Sequence, residues 1–133
     1  MDKPKYYKLL FLIAGIYNIG MSILSLVVTA VNPQEQFELL GMSLPPSLFY
    51  FNVMTWCVIG MGVGYLIVSR NIAKNYGAVV IGAIGKTSYF VSSIIAFANK
   101  EASTSLIVFG CIDLFFTVLF VEFLWWLRKN NAT

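Results

Sequence analysis

The sequence has no histidine, two cysteines and very little charge: 11% of its 133 residues are Asp, Glu, Lys or Arg. Each shortage excludes something. Without histidine, and with only six carboxylates, a transition-metal site is not expected. Cys57 and Cys111 stand far apart in separate apolar runs. They form no C-x-x-C motif, so thiol-redox chemistry is not indicated, and both thiols are expected to be buried and inert. So little charge does not suffice to cover a soluble domain. The net charge of +3 is no sign of nucleic-acid binding either, because the cations flank apolar segments.

Hydrophobic residues make up 59% of the chain, and mean hydropathy is +0.79. They fall into four runs, at about 7–30, 47–69, 76–98 and 104–127. Each is close to the roughly 20 residues an α-helix needs to cross a bilayer. The first has a basic start like a signal peptide, but its apolar stretch is longer than the ~7–15 residues of such a segment. The expectation is therefore one all-α domain over residues 1–133, an up-down bundle of four transmembrane helices. The short connections at 70–75 and 99–103 make consecutive helices antiparallel neighbours. The second helix is entered through Pro45-Pro46. Asn32-Pro33 ends the first, and the mixed segment from Gln34 to Met42 predicts one or two turns at the membrane surface.

Cations divide unequally between the two sides. Lys3, Lys5, Lys8, Arg70, Lys74, Arg128 and Lys129 fall on the side of the termini, whereas the other side has Lys100 with Glu35, Glu38 and Glu101. Such a bias places both termini in the cytoplasm, in a cytoplasmic (inner) membrane. Tyr6, Tyr7, Tyr65, Tyr76, Trp125 and Trp126 near that side predict an aromatic belt. Glu122 is expected to be an interfacial carboxylate near Arg128 and Lys129.

Two ionisable residues remain inside the runs. Lys86 lies ten residues past Tyr76 and Asp113 nine past Thr104, each about 14–15 Å from its face at 1.5 Å per residue. Both reach the midplane of a ~30 Å hydrocarbon core, where an unpaired charge is costly. Their helices are adjacent, so an ion pair is available. Asn18 is at the same depth, on a seam with Ala14, Gly15, Ser22, Ser25 and Thr29. Two readings fit. The polar groups are helix–helix glue, or Asn18, Trp56, Lys86, Tyr89 and Asp113 line a pocket or relay. Gly60-x-x-x-Gly64 and Ala78-x-x-x-Gly82 are small-residue pairs suited to close packing, within or between protomers. Gly85-Lys86-Thr87 resembles the end of a phosphate loop, but its spacing and its depth rule that out.

Gly15 and Gly20, Asn32-Pro33, Phe37-x-x-Leu40-Gly41-Met42, Pro45 and the glycine-rich second helix together resemble the DoxX-like group of small bacterial membrane proteins. The resemblance covers Phe11 to about Gly64. It implies a four-helix architecture and, for some relatives, a link to quinone-coupled or thiol redox complexes. It assigns no site residue.

For function, the sequence points first to a membrane protein without catalytic activity. It would bind a small or lipidic molecule in the bundle, or serve as an accessory subunit of a membrane complex. Its partners would be the lipid bilayer, a small hydrophobic ligand and a homo-oligomer or complex partner, with no nucleic acid and no cofactor. The alternatives are an oligomeric ion- or proton-coupled transporter working at the Lys86–Asp113 level, and a membrane enzyme acting on lipid or quinone. No nucleophile–base pair is legible that would favour the enzyme.

Overall fold

A computed structural model describes residues 2–131. It contains five helices: α1 (Lys3–Val31), α2 (Pro33–Leu40), α3 (Phe49–Arg70), α4 (Gly77–Ala98) and α5 (Thr104–Asn131). Four of them, all except α2, are long and apolar enough to cross a membrane. Backbone polar groups find no partners in hydrocarbon, so a helix that satisfies its own groups is what these apolar runs must form. Their outer surfaces carry large apolar side chains, including Leu9, Ile13, Ile16, Ile23 and Val27 on α1 and Ile84, Ile94 and Ile95 on α4. A water-soluble monomer does not expose apolar surface on this scale. The chain is an all-α integral membrane protein, a four-helix bundle in contact with lipid.

The helix ends follow from local chemistry. Asn32 closes α1 and caps α2, its Oδ1 accepting from the Glu35 N–H at 3.3 Å. Gly41 ends α2 in the left-handed conformation, with φ 66°. A side chain at Gly41 would also strike the backbone of Ser103. Ser103 fastens α2 to the start of α5, its N–H donating to the Leu40 carbonyl at 2.9 Å. The expected surface turns are thus a two-turn helix that roofs one end of the bundle. Its Phe37 packs on Phe51 of α3, ring centroids 5.1 Å apart. The second span begins at Phe49, three residues past the proline pair, and the Phe49 N–H donates to the Ser47 hydroxyl at 3.3 Å. Arg128 and Lys129 lie in the last turn of α5, where cations suit the helix dipole.

Backbones approach closely in two pairs, α1 with α3 and α4 with α5, while α3 and α4 touch less. The α1–α3 contact is a glycine crossing. A Cβ on Gly62 would stand 3.0 Å from the Gly15 carbonyl oxygen, and one on Gly15 2.9 Å from that of Gly62. The packing glycine of α3 is therefore Gly62. Gly60 faces open space, and Gly64 has only an ordinary contact with Ala78, so the Gly60/Gly64 pair does not join helices within the protomer as a unit. In the second small pair, Ala78 does meet Gly64, and Gly82 makes room for the ring of Tyr65.

The two pairs join near the chain termini through rings. Tyr7 and Phe11 of α1, Tyr65 of α3 and Phe120 and Phe123 of α5 are all buried there. Phe11 and Phe123 lie 4.8 Å apart, and Tyr65 and Phe120 5.0 Å apart. This corrects the expected aromatic belt. Tyr7 and Tyr65 belong to the core, whereas Tyr76 and Trp125 stay on the surface. Tyr7 explains Glu122: its hydroxyl donates to Glu122 Oε1 at 3.0 Å. A second correction concerns Cys57 and Cys111, which are exposed and not buried. Pro4, Lys8, Arg70 and Trp126 border a single groove, which puts the ends of α1, α3 and α5 on one face of the molecule.

Candidate functional site

The polar level of the bundle is built from three helices. Lys86 of α4 is 6% exposed and Asn18 of α1 is 6% exposed. The Lys86 ammonium donates to Asp113 Oδ1 of α5 at 2.5 Å and to Asn18 Oδ1 at 3.2 Å. It also lies 5.2 Å from the centroid of the Phe116 ring, close enough for a cation–π attraction. The Asp113 side chain keeps 20% of its surface open. Among the described residues no fully buried side-chain polar atom lacks a hydrogen-bond partner. The ion pair that the depth argument made available is formed, and Asn18 is its third member.

This level has one solid side and one hollow side. Toward the termini, the aromatic core fills the bundle. Toward α2, the helix pairs separate around a cavity of about 580 Å³. All five helices contribute to its wall, which is mostly apolar: Met21, Leu24, Phe51, Met61 and Phe109 are representative. Gln36, Leu39 and Leu40 of α2 form the roof, and Asn18, Lys86 and Asp113 lie on the wall at the deep end. The wall includes Met54 of α3 and Ile81 and Tyr89 of α4, which are also exposed on the bundle surface. The cavity is therefore continuous with the lipid-facing crevice between α3 and α4, where those helices diverge.

Asn18, Lys86, Tyr89 and Asp113 are brought together on this cavity. Trp56 is not: it is 62% exposed and is absent from the lining. The reason is helical phase. Met54, Cys57, Val58, Met61 and Tyr65 make the lining stripe of α3 at i, i+3/i+4 spacing. Trp56 is one step, or 100°, away from Cys57. Among the lining residues not expected at the site are the phenols Tyr17 and Tyr65 and, nearer the roof, the polar Ser25, Glu35 and Gln36. Tyr17 carries a weak signal, being next to Asn18. Tyr65 is revealed only by the glycine opposite it on α4.

Chemically, the site offers a charge-balanced ion pair, an amide and three phenols at the end of an apolar cavity. The phenols of Tyr17, Tyr65 and Tyr89 share the cavity wall with Asp113. In comparisons with known proteins, the chain matches no family model, no curated protein and no solved structure.

Proposed function

We propose that this membrane protein holds a small or lipidic molecule in the cavity between its helix pairs, acting as a binding module or as the ligand-carrying accessory of a membrane complex. One observation carries the reading. A cavity of about 580 Å³ with mainly apolar walls ends on a hydrogen-bonded polar cluster at mid-depth. Binding cavities of drug-sized molecules have this size and this division of labour, with apolar walls and a few fixed polar groups. The aromatic core beyond the ion pair favours a dead-end pocket over a path across the membrane.

Gly85 supplies the test. It lines the cavity, and a Cβ there would meet nothing within 4 Å. Gly85→Trp is expected to fill the space without disturbing helix packing. Native mass spectrometry of gently purified wild-type protein should show a retained small molecule, and the variant should lose it at unchanged thermal stability. An empty wild-type cavity after purification from native membranes, and after incubation with total lipid extract, would overturn the reading.

The location in a cytoplasmic membrane, with both termini inside, belongs to the same proposal. It is supported by the seven-to-one distribution of loop and terminal cations, two of which, Lys8 and Arg70, border one groove. The DoxX-like kinship is likewise proposed. Of the residues that carry it, Gly15 and Gly41 have packing and turn roles that any bundle of this geometry would need. Orientation is checked by a single cysteine in a Cys57→Ser/Cys111→Ser background. In intact cells, a membrane-impermeant maleimide should label Gln34→Cys and leave Asn130→Cys unmodified. The opposite pattern would invert the assignment.

A further inference from the structure

We infer that the cavity selects an amphiphile with an uncharged oxygen head group, a carbonyl above all, whose tail leaves through the crevice between α3 and α4. The inference rests on the binding role proposed above and adds the class of ligand. Its basis is the charge and donor count of the deep end. Lys86 and Asp113 neutralise one another, so the deep end has no net charge to attract an ion; the other charged residue on the wall, Glu35, stands at the α2 roof. A carboxylate head would face the Asp113 carboxylate, and an ammonium head the Lys86 ammonium. A charged head would also have to leave water without an opposite charge left free to receive it.

Hydrogen-bond capacity then favours an acceptor. Tyr17 and Tyr65 line the cavity, and their hydroxyls donate to no group among the described residues. Tyr65 is 1% exposed, yet no fully buried polar atom is unpartnered, so its hydroxyl opens on the cavity. The Asn18 amide nitrogen is a further donor beside them, because its oxygen is the atom bound to Lys86. The phenols can also accept, but the Asn18 amide nitrogen and the Lys86 ammonium only donate, and the one acceptor-only atom at this end is the second oxygen of Asp113. Apart from Ser25 and, at the α2 roof, Glu35 and Gln36, the rest of the wall is mainly apolar and reaches the exposed Met54 and Ile81, which gives an alkyl tail a route to lipid away from the roof.

The test uses three chain-matched probes, 2-tridecanone, dodecanoate and dodecylamine, with the full chain in phosphatidylcholine nanodiscs at pH 7. Apparent Kd values are read by native mass spectrometry. Wild-type protein is expected to bind the ketone at least about tenfold more tightly than either ion. Asp113→Asn should shift the preference toward dodecanoate, and Lys86→Met toward dodecylamine. Tyr65→Phe, which leaves the ion pair intact, should weaken ketone binding about three- to tenfold and leave the two ions unaffected. This variant decides the matter if a charge variant fails to fold. Equal binding of all three probes would overturn the head-group assignment while leaving an occupied cavity. Binding of none, with no co-purified molecule either, would overturn the cavity reading itself. A Tyr65→Phe protein that binds the ketone like wild type would remove the donor argument.

Discussion

Lys86→Met and Asp113→Leu are each expected to destabilise the folded protein by about 3–5 kcal/mol, and the double variant to recover most of that loss. The two residues are the only ion pair among the described residues, and they lie at mid-depth in the bundle. Removing one partner strands the other in a medium that solvates charge poorly. Removing both replaces a desolvated pair by apolar side chains, which buried sites often tolerate. The two single variants should not be equal. After Lys86→Met, the Asp113 carboxylate still has 20% of its side-chain surface open and can draw water from the cavity. After Asp113→Leu, the ammonium of Lys86 keeps only Asn18 and the Phe116 ring, and it is the more deeply buried group. Asp113→Leu should therefore be the worse of the two. Unfolding in mixed micelles, arranged as a double-mutant cycle, measures the coupling. Additive losses would show that the pair contributes nothing as a pair. Ketone binding by the recovered double variant then separates the roles. Retained binding assigns the pair to helix association, and lost binding assigns it to the pocket.

Much of the fold was legible because the bilayer imposes simple rules. Four apolar runs can only become four helices, and their lengths followed from hydrocarbon thickness. The pairing of Lys86 with Asp113 was legible for the same reason: depth could be counted from the helix ends, and an unpaired charge at that depth is costly. What failed was rotation about the helix axis. Trp56, Cys57, Cys111 and Tyr65 were assigned to the wrong surroundings, although their depths were sound. In a soluble helix the polar face reveals which way each residue points. A membrane helix is apolar on its lipid face and its protein face alike, so that signal is weak. Gly60, Gly62 and Gly64 illustrate it: all three are glycines on one short stretch, and only the partner helix decides which of them is needed. Of the cavity only the polar end was legible, as a candidate pocket at the Lys86–Asp113 level; its apolar volume and its roof arise from the divergence of two helix pairs and not from any single segment.

The Gly62 position should show the second large effect. Gly62→Leu is expected to abolish the stable fold, and Gly62→Ala to cost about 1–3 kcal/mol, the usual range for overpacking a tight contact. Gly60→Leu, two residues away, should change stability by less than about 0.5 kcal/mol. The difference lies in what each new Cβ meets. At Gly60 it meets nothing within 4 Å, whereas at Gly62 it comes within 2.7 Å of Ile19 Cγ1 and 3.0 Å of the Gly15 carbonyl oxygen. Backbone atoms cannot rotate away as a side chain can, so α1 and α3 must separate. Close packing is a main source of helix association in lipid, where the hydrophobic effect between helices is absent. The separation also reaches the polar cluster. The same Cβ would lie 3.2 Å from Asn18 Cβ, and Asn18 is the residue whose oxygen holds the Lys86 ammonium. Gly62→Ala should therefore weaken ketone binding as well as the fold, whereas Gly60→Leu should spare both. If Gly60→Leu instead dissociates an oligomer while each protomer stays folded, the open face of α3 is an interface between copies. If Gly62→Ala leaves both stability and ligand affinity at wild-type values, the glycine crossing does not join α1 to α3, and the link from that crossing to the cavity is lost with it.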